Sequence, residues 1–278
     1  CSPLWSQSWS GNGGEGAPGT LDGAERDGVG AEDGGDDAQR DAGHRGVGAQ
    51  GLLDRRRQEV PGCRDPAAVP AHAATAEGFV PAGWTLEYRI EGDLDQDGRA
   101  DLALVLRQQD PRNIIEHDGF GPSPYDSNPR ILAIAFPRPY GYVLAAQNHT
   151  LIPRPDSPVL SDALAEGTGV SIQRGALRVG LYSFSSAGSW SMGTTTFTFR
   201  WQEGDFALIG YDRDTMMRNS GQTEGLSVNY STGKVKLTEG SMQDDKEQVR
   251  WQTLRDRKHW TLDSVGDGWA FNPLGDGG

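Results

Sequence analysis

From residue 83 onward the chain is a succession of short stretches rich in β-branched and aromatic residues, separated by Gly, Pro and Asp. They recur about every 8–14 residues, and no helix-period stretch competes strongly. That spacing constrains the fold more than any other feature. Trp84–Ile90 alternates with period two, and 100–106 (ADLALVL) is a short apolar run. Residues 130–136 and 140–146 flank an FPRPYG turn, and 171–172 and 176–184 flank Gln173-Arg174-Gly175. Residues 194–201 and 206–212 meet at Gln202-Glu203-Gly204-Asp205, and 226–230 and 234–237 meet at Ser231-Thr232-Gly233; both are hairpin signals. Ser161–Glu166 and Asp245–Arg250 could each form a turn or two of helix. The pattern predicts an all-β domain, an antiparallel β-sandwich or flattened barrel. Residues 109–129 form a long loop, of a length that in compact domains is often functional.

The N-terminal part obeys different physics. Residues 1–50 hold 13 of the 39 glycines and nine acidic against three basic residues, a balance of −6 within a whole-chain net charge of −13. Almost no aliphatic side chain lies between Trp9 and Leu52, so burial cannot offset chain entropy there. The expected organisation is a long disordered tether over residues 1–60 and one folded domain over 61–278. The acidic balance, without a Lys/Arg stripe interleaved with aromatics, disfavours nucleic acid as a partner. No run of 18 apolar residues exists to span a membrane as a helix.

The sequence begins at Cys1 followed by Ser2 and the Gly/Asp-rich stretch, which resembles a mature bacterial lipoprotein. That resemblance implies lipidation of Cys1, retention in the outer membrane and a periplasmic domain. A coil of about 60 residues reaches roughly 40–45 Å, enough to let an anchored domain search the space above a bilayer. Cys63 is the only other cysteine; with Cys1 lipidated it has no internal partner, so no disulfide framework holds the fold, and Cys63 is either a free thiol or pairs with another chain.

The sharpest motif is GDLDQDGRADL, residues 92–102. Asp93, Asp95 and Asp97 take loop positions 1, 3 and 5 and converge when the chain turns at position 6. Gly98 occupies that position, where a positive φ costs nothing. Arg99 offers its backbone carbonyl at position 7, and Asp101 falls at position 9. All are hard oxygen donors of the kind Ca²⁺ selects. Position 12 is Leu104, not the bidentate Glu of an EF-hand, and the flanks read as strands. The loop therefore resembles the β-hairpin calcium loops of FG-GAP and related envelope modules, with a structural role for the ion over residues 93–101. The competing reading is an acidic turn without an ion.

Catalytic signatures are missing. None of His44, His72, His117, His149 and His259 is paired at metal-ligand spacing, and there is no HExxH, P-loop or dinucleotide fingerprint. Ser189-Trp190-Ser191-Met192-Gly193 approaches a nucleophile elbow, but Ser189 stands where the first Gly belongs, between two strands. The chain is expected not to be an enzyme.

The segment from Leu181 to Gly193 differs from the other hairpin connections: it is long, rich in small hydroxyl residues and bounded by Tyr182, Phe184 and Trp190. Small polar residues can enter a narrow cleft and hydrogen-bond its carboxylates, while aromatics supply anchoring area. The bland alternative is a flexible hairpin loop whose aromatics fold back on the core. The segment is similar to the loop that periplasmic inhibitors of invertebrate-type lysozymes push into the enzyme cleft, with Ser186-Ala187-Gly188-Ser189-Trp190 as the nearest match to their Ser-Gly-x-x-Tyr pattern. One residue is inserted between Ser and Gly, and Trp replaces Tyr.

Residues 80–270, with the GDLDQDGRADL loop, more closely resemble immunity lipoproteins of plant-associated bacteria. These protect against peptidoglycan-cleaving, lysozyme-like effectors of a bacteria-killing type IV secretion system. The resemblance implies an effector-binding loop of Tyr182, Ser183, Phe184, Ser185, Ser186, Gly188, Ser189 and Trp190, with either Tyr182 or Trp190 leading into the cleft. It also implies Ca²⁺ as cofactor, and the acidic surface would steer a basic partner. Two other readings stand beside it: a calcium-stabilised envelope or adhesin module, and a hydrolase built on loop 109–129 around Glu116-His117-Asp118.

Overall fold

The computed structural model describes residues 67–165, 167–255 and 257–275, so Cys1, Cys63 and the tether expected over 1–60 lie outside the described residues. Among the described residues fourteen strands follow in chain order: β1 (His72–Ala73), β2 (Trp84–Gly92), β3 (Asp101–Gln108), β4 (Ile114–Ile115), β5 (Tyr125–Asp126), β6 (Arg130–Arg138), β7 (Gly141–Asn148), β8 (Gly169–Gln173), β9 (Ala176–Phe184), β10 (Ser191–Gln202), β11 (Asp205–Met217), β12 (Gln222–Asn229), β13 (Lys234–Ser241) and β14 (Asp244–Thr253). They form a five-stranded sheet in the order β1-β7-β6-β3-β2, a seven-stranded meander β14-β13-β12-β11-β10-β9-β8, and the small β4-β5 pair. Every strand pairing is antiparallel.

The two large sheets pack face to face as a β-sandwich. Ala103, Val105, Leu132, Ile134 and Phe136 of the first share a core with Leu177, Val179, Leu181, Phe197 and Phe199 of the second. In the second sheet β10 follows the one-sided alternation expected of a solvated antiparallel sheet: Phe197 and Phe199 are buried while Thr194, Thr196 and Thr198 are not. The first sheet does not alternate. On β3 and β6 the apolar runs are buried on both faces, because Val69, Ala76 and Phe79 cover the side facing away from the second sheet. That explains why ADLALVL is continuous rather than alternating. Full burial of each Leu, Ile or Phe contributes about 1.5–3 kcal/mol before chain entropy is charged against it.

Two hairpins turn as their sequences require. Arg174 and Gly175, and likewise Glu203 and Gly204, both sit at positive φ between directly paired residues, the geometry of a two-residue type I′ turn. Asp245–Arg250, expected as a short helix, lies instead within β14, where Gln248, Val249 and Arg250 pair with Glu239, Thr238 and Leu237 of β13. Cross-strand pairing there overrides weak helix propensity. Ser161–Glu166 contains no helix among its described residues.

The connector between the sheets is tied down by charge. Arg130 on β6, whose side chain is 2% exposed, donates to both oxygens of Glu87 on β2 (2.6 and 2.8 Å) and of Asp162 in the connector (2.8 and 2.7 Å). Burial on its own would lower the guanidinium pKa; the two carboxylates outweigh it and raise it. The 109–129 segment is equally ordered. It begins with a 3-10 turn at Pro111–Asn113 and contains the β4-β5 pair. Arg154 donates to Asn113 Oδ1 (2.7 Å) and to the Ser127 carbonyl, and Asn113 donates to Asn128 (3.1 Å) beneath it.

Candidate functional site

The motifs singled out in the sequence lie at opposite ends of the sandwich. At one end, the β2–β3 connection carries the acidic loop. Gly98 sits at φ +84°, as its position demands, and Gln96 also adopts a positive φ of 62°. Asp93 accepts the backbone N–H groups of Asp97 (3.1 Å) and Gly98 (3.0 Å), which holds the turn closed. One carboxylate oxygen from each of Asp93, Asp95 and Asp101 lies within 4.8 Å of the other two.

Asp101 is fully buried. Its Oδ2 accepts from Leu94 N–H (2.6 Å) and Asp95 N–H (3.3 Å), while its Oδ1 is buried with no hydrogen-bond partner among the described residues. Burial pushes its carboxyl up to about 6, opposed by those two N–H groups and reinforced by the charges of Asp95 and Asp97. An orphaned buried acceptor beside two further carboxylates fits a hard divalent cation, which would satisfy the lone pair and relieve the repulsion. Asp97 stands apart from this trio. Its carboxylate takes the Arg99 guanidinium and backbone N–H, and those bonds hold its pKa down.

The loop also joins the sheets. Leu94, between the first two aspartates, is fully buried in the inter-sheet core. A Cβ on Gly92 would meet Ile172 of β8 at 2.6 Å, and one on Gly175 would meet Gln96 at 3.5 Å. The acidic loop therefore packs on the β8–β9 hairpin as well as closing β2 onto β3.

β9 runs from that end to the other, nine residues or about 30 Å away. There the β9–β10 connection is shorter than the sequence suggests. Tyr182, Ser183 and Phe184 belong to β9, paired with Thr194, Gly193 and Met192, and Ser191 opens β10, so the tip is residues 185–190. Tyr182 and Phe184 are half-buried and stack on each other, ring centroids 6.2 Å apart and 4° from parallel. Ser185 is buried and its hydroxyl donates to the Ala187 carbonyl. Ser183, Ser186, Gly188, Ser189 and Trp190 are exposed, Trp190 by 60%.

The tip is braced from two sides. Ser186 N–H donates to the Val159 carbonyl (2.9 Å), and Leu160 bridges to Ser185. From the β11–β12 turn, Arg218 Nη2 donates to the carbonyls of Ser185 and Ser189, both at 2.7 Å. Its guanidinium lies 4.5 Å from the Phe184 ring centroid and 5.7 Å from that of Trp190, and its backbone N–H donates to the Trp190 carbonyl (2.9 Å). Sequence reasoning missed Arg218. It follows an ordinary strand and lies 29–33 residues beyond its partners, and no local pattern encodes that pairing.

The chain matches no protein-family model, no curated protein and no solved structure.

Proposed function

We propose that this chain is a periplasmic immunity protein that inhibits a lysozyme-like, peptidoglycan-cleaving muramidase. It would be held at the outer membrane through a lipidated Cys1 and would insert the 185–190 tip into the enzyme's cleft. The observation that carries the proposal is the tip itself. Arg218 and Val159 hold it rigid while it presents Trp190, Ser186, Gly188 and Ser189 outward. A projecting, pre-ordered Ser/Gly/Trp tip loses little entropy on docking and offers hydroxyl donors to cleft carboxylates and one large aromatic anchor. Trp190 leads, because Tyr182 is held in the strand against Phe184.

Ca²⁺, bound by Asp93, Asp95 and Asp101, is the companion proposal. At about 30 Å from the tip the ion's role is structural: it fastens the β2–β3 hairpin to the inter-sheet core through Leu94.

The test is lysis of peptidoglycan by an invertebrate-type lysozyme, and by any muramidase encoded beside this gene, with and without the full chain. Slowed lysis that disappears when 185–190 is replaced by a Gly/Ser linker supports the proposal. No slowing of either enzyme, or slowing that survives the replacement, overturns it. A folded, calcium-stabilised chain without inhibition would leave the envelope-binding module as the function.

A further inference from the structure

The two loops that stand far apart in the sequence, 109–129 and 185–190, meet over one connector. Gly121 sits at φ +102°, and a Cβ there would lie 2.4 Å from the Pro158 carbonyl oxygen, so the long loop rests directly on Pro158. The next residue, Val159, accepts the Ser186 N–H from the tip. Tyr125 O–H donates to the Asp156 carbonyl (3.4 Å), and Ser127 O–H to that of Pro155, fastening the base of the loop to the same connector.

The end of the long loop is built to project. The His117 ring accepts the Gly119 N–H at Nδ1 (3.0 Å) and bonds the Pro122 carbonyl through Nε2 (2.8 Å). The His117 backbone N–H donates to Ser123 Oγ (3.1 Å), and Tyr125 meets the ring edge-on. This internal frame holds up Phe120, which is 83% exposed. Burying a phenyl ring is favourable, and here the loop withholds it. Around it Glu116, Asp118 and Asp156 are exposed and form no ion pair among the described residues. Of the cations in the loop and its connector, Arg112 is paired with Asp110, and Arg154 is turned onto the Ser127 carbonyl and Asn113.

We infer that Phe120 is a second anchor of the inhibitory surface, gripping the rim of the same enzyme cleft while its acidic surround meets a basic rim. The partner is thus a cationic hydrolase held at two points, by Trp190 inside the cleft and by Phe120 outside it. This rests on the proposed inhibitory function.

The experiment measures the inhibition constant of the full chain against whichever of the two muramidases the wild type slows. Phe120→Ala is expected to raise that constant about 10- to 100-fold, as truncation of an aromatic anchor does, with an unchanged melting temperature. The double variant Glu116→Lys/Asp118→Lys is expected to raise it more at 25 mM than at 300 mM NaCl, since salt screens steering charges. Tyr140→Ala, equally exposed but in the β6–β7 turn at the other end of its sheet, should change nothing. If the wild type inhibits and both Phe120→Ala and the charge variant stay within twofold of it, the second anchor is wrong and the tip stands. If the wild type inhibits neither enzyme, both fall. Should Phe120→Ala lower the melting temperature, the charge variant decides alone.

Discussion

Replacing Arg218 by Met tests whether the inhibitory tip is pre-ordered. The substitution keeps the aliphatic stem and removes the guanidinium, and with it two hydrogen bonds to Ser185 and Ser189 and the ring contacts with Phe184 and Trp190. A hydrogen bond from a charged donor is worth about 1.5–3 kcal/mol when buried and nearer 1 when partly solvated, as here. Each exposed cation–π contact adds about 0.5 kcal/mol. The sum, about 2–3 kcal/mol, corresponds to a 30- to 150-fold larger open population of residues 185–190, at about 1.4 kcal/mol per tenfold. The Ser186 amide, which donates to the Val159 carbonyl, is the reporter. Its hydrogen exchange should accelerate by that factor in Arg218→Met, while core amides such as those of Phe197 and Val228 keep their protection. Inhibition should weaken in parallel, because the ordering cost moves into the binding step. Exchange at Ser186 accelerated less than threefold would refute the bracing role of Arg218 and the pre-ordering built on it.

Two further outcomes follow from the rest of the molecule. At a dissociation constant of about 10⁻⁴ M, typical of extracellular calcium modules, 10 mM Ca²⁺ should stabilise the folded domain by about 2.7 kcal/mol, a rise in melting temperature of about 5–10 °C over chelator. Asp95→Ala should lose that difference yet retain inhibition below its melting point; equal melting of the wild type in both conditions would sink the site. Asp162 gives a pH dependence. Burial alone would raise its pKa, but the Arg130 hydrogen bonds and the Leu164 N–H outweigh it and leave the folded-state value below the ordinary 3.8. Its contribution is therefore fully present above about pH 4 and fades as the pH falls through the lowered value. The melting-temperature gap between wild type and Asp162→Asn should be widest from pH 5 to 7 and shrink towards pH 2–3, and a constant gap would contradict the assignment.

Features decided within a few residues of chain were legible in the sequence. The Arg174-Gly175 and Glu203-Gly204 turns and the positive φ of Gly98 depend on local geometry, and each stands where its residues predict, whereas the period of Trp84–Ile90 is interrupted by a bulge between Leu86 and Tyr88. What escaped was decided by distant partners. Asp245–Arg250 became a strand because β13 lay beside it, and β3 lost its alternation because residues from Val69 to Phe79 cover its second face. In the acidic loop the trio Asp93, Asp95 and Asp101 was visible as spacing, whereas the diversion of Asp97 to Arg99 was not. At the tip the exposed serines and Trp190 were legible as composition. The seat on Val159, the clamp from Arg218 and the nearness of Phe120 were not, since each joins segments about 30 residues or more apart.

Occupation of an enzyme cleft shows itself in the form of the inhibition. A muramidase that the chain inhibits should be assayed with a soluble chito-oligosaccharide at increasing concentrations of the full chain. Cleft occupation predicts a rising apparent KM with unchanged kcat, and loss of that effect in Trp190→Ala. A falling kcat at constant KM, or an undiminished effect in Trp190→Ala, would place the contact away from the cleft and contradict the claim.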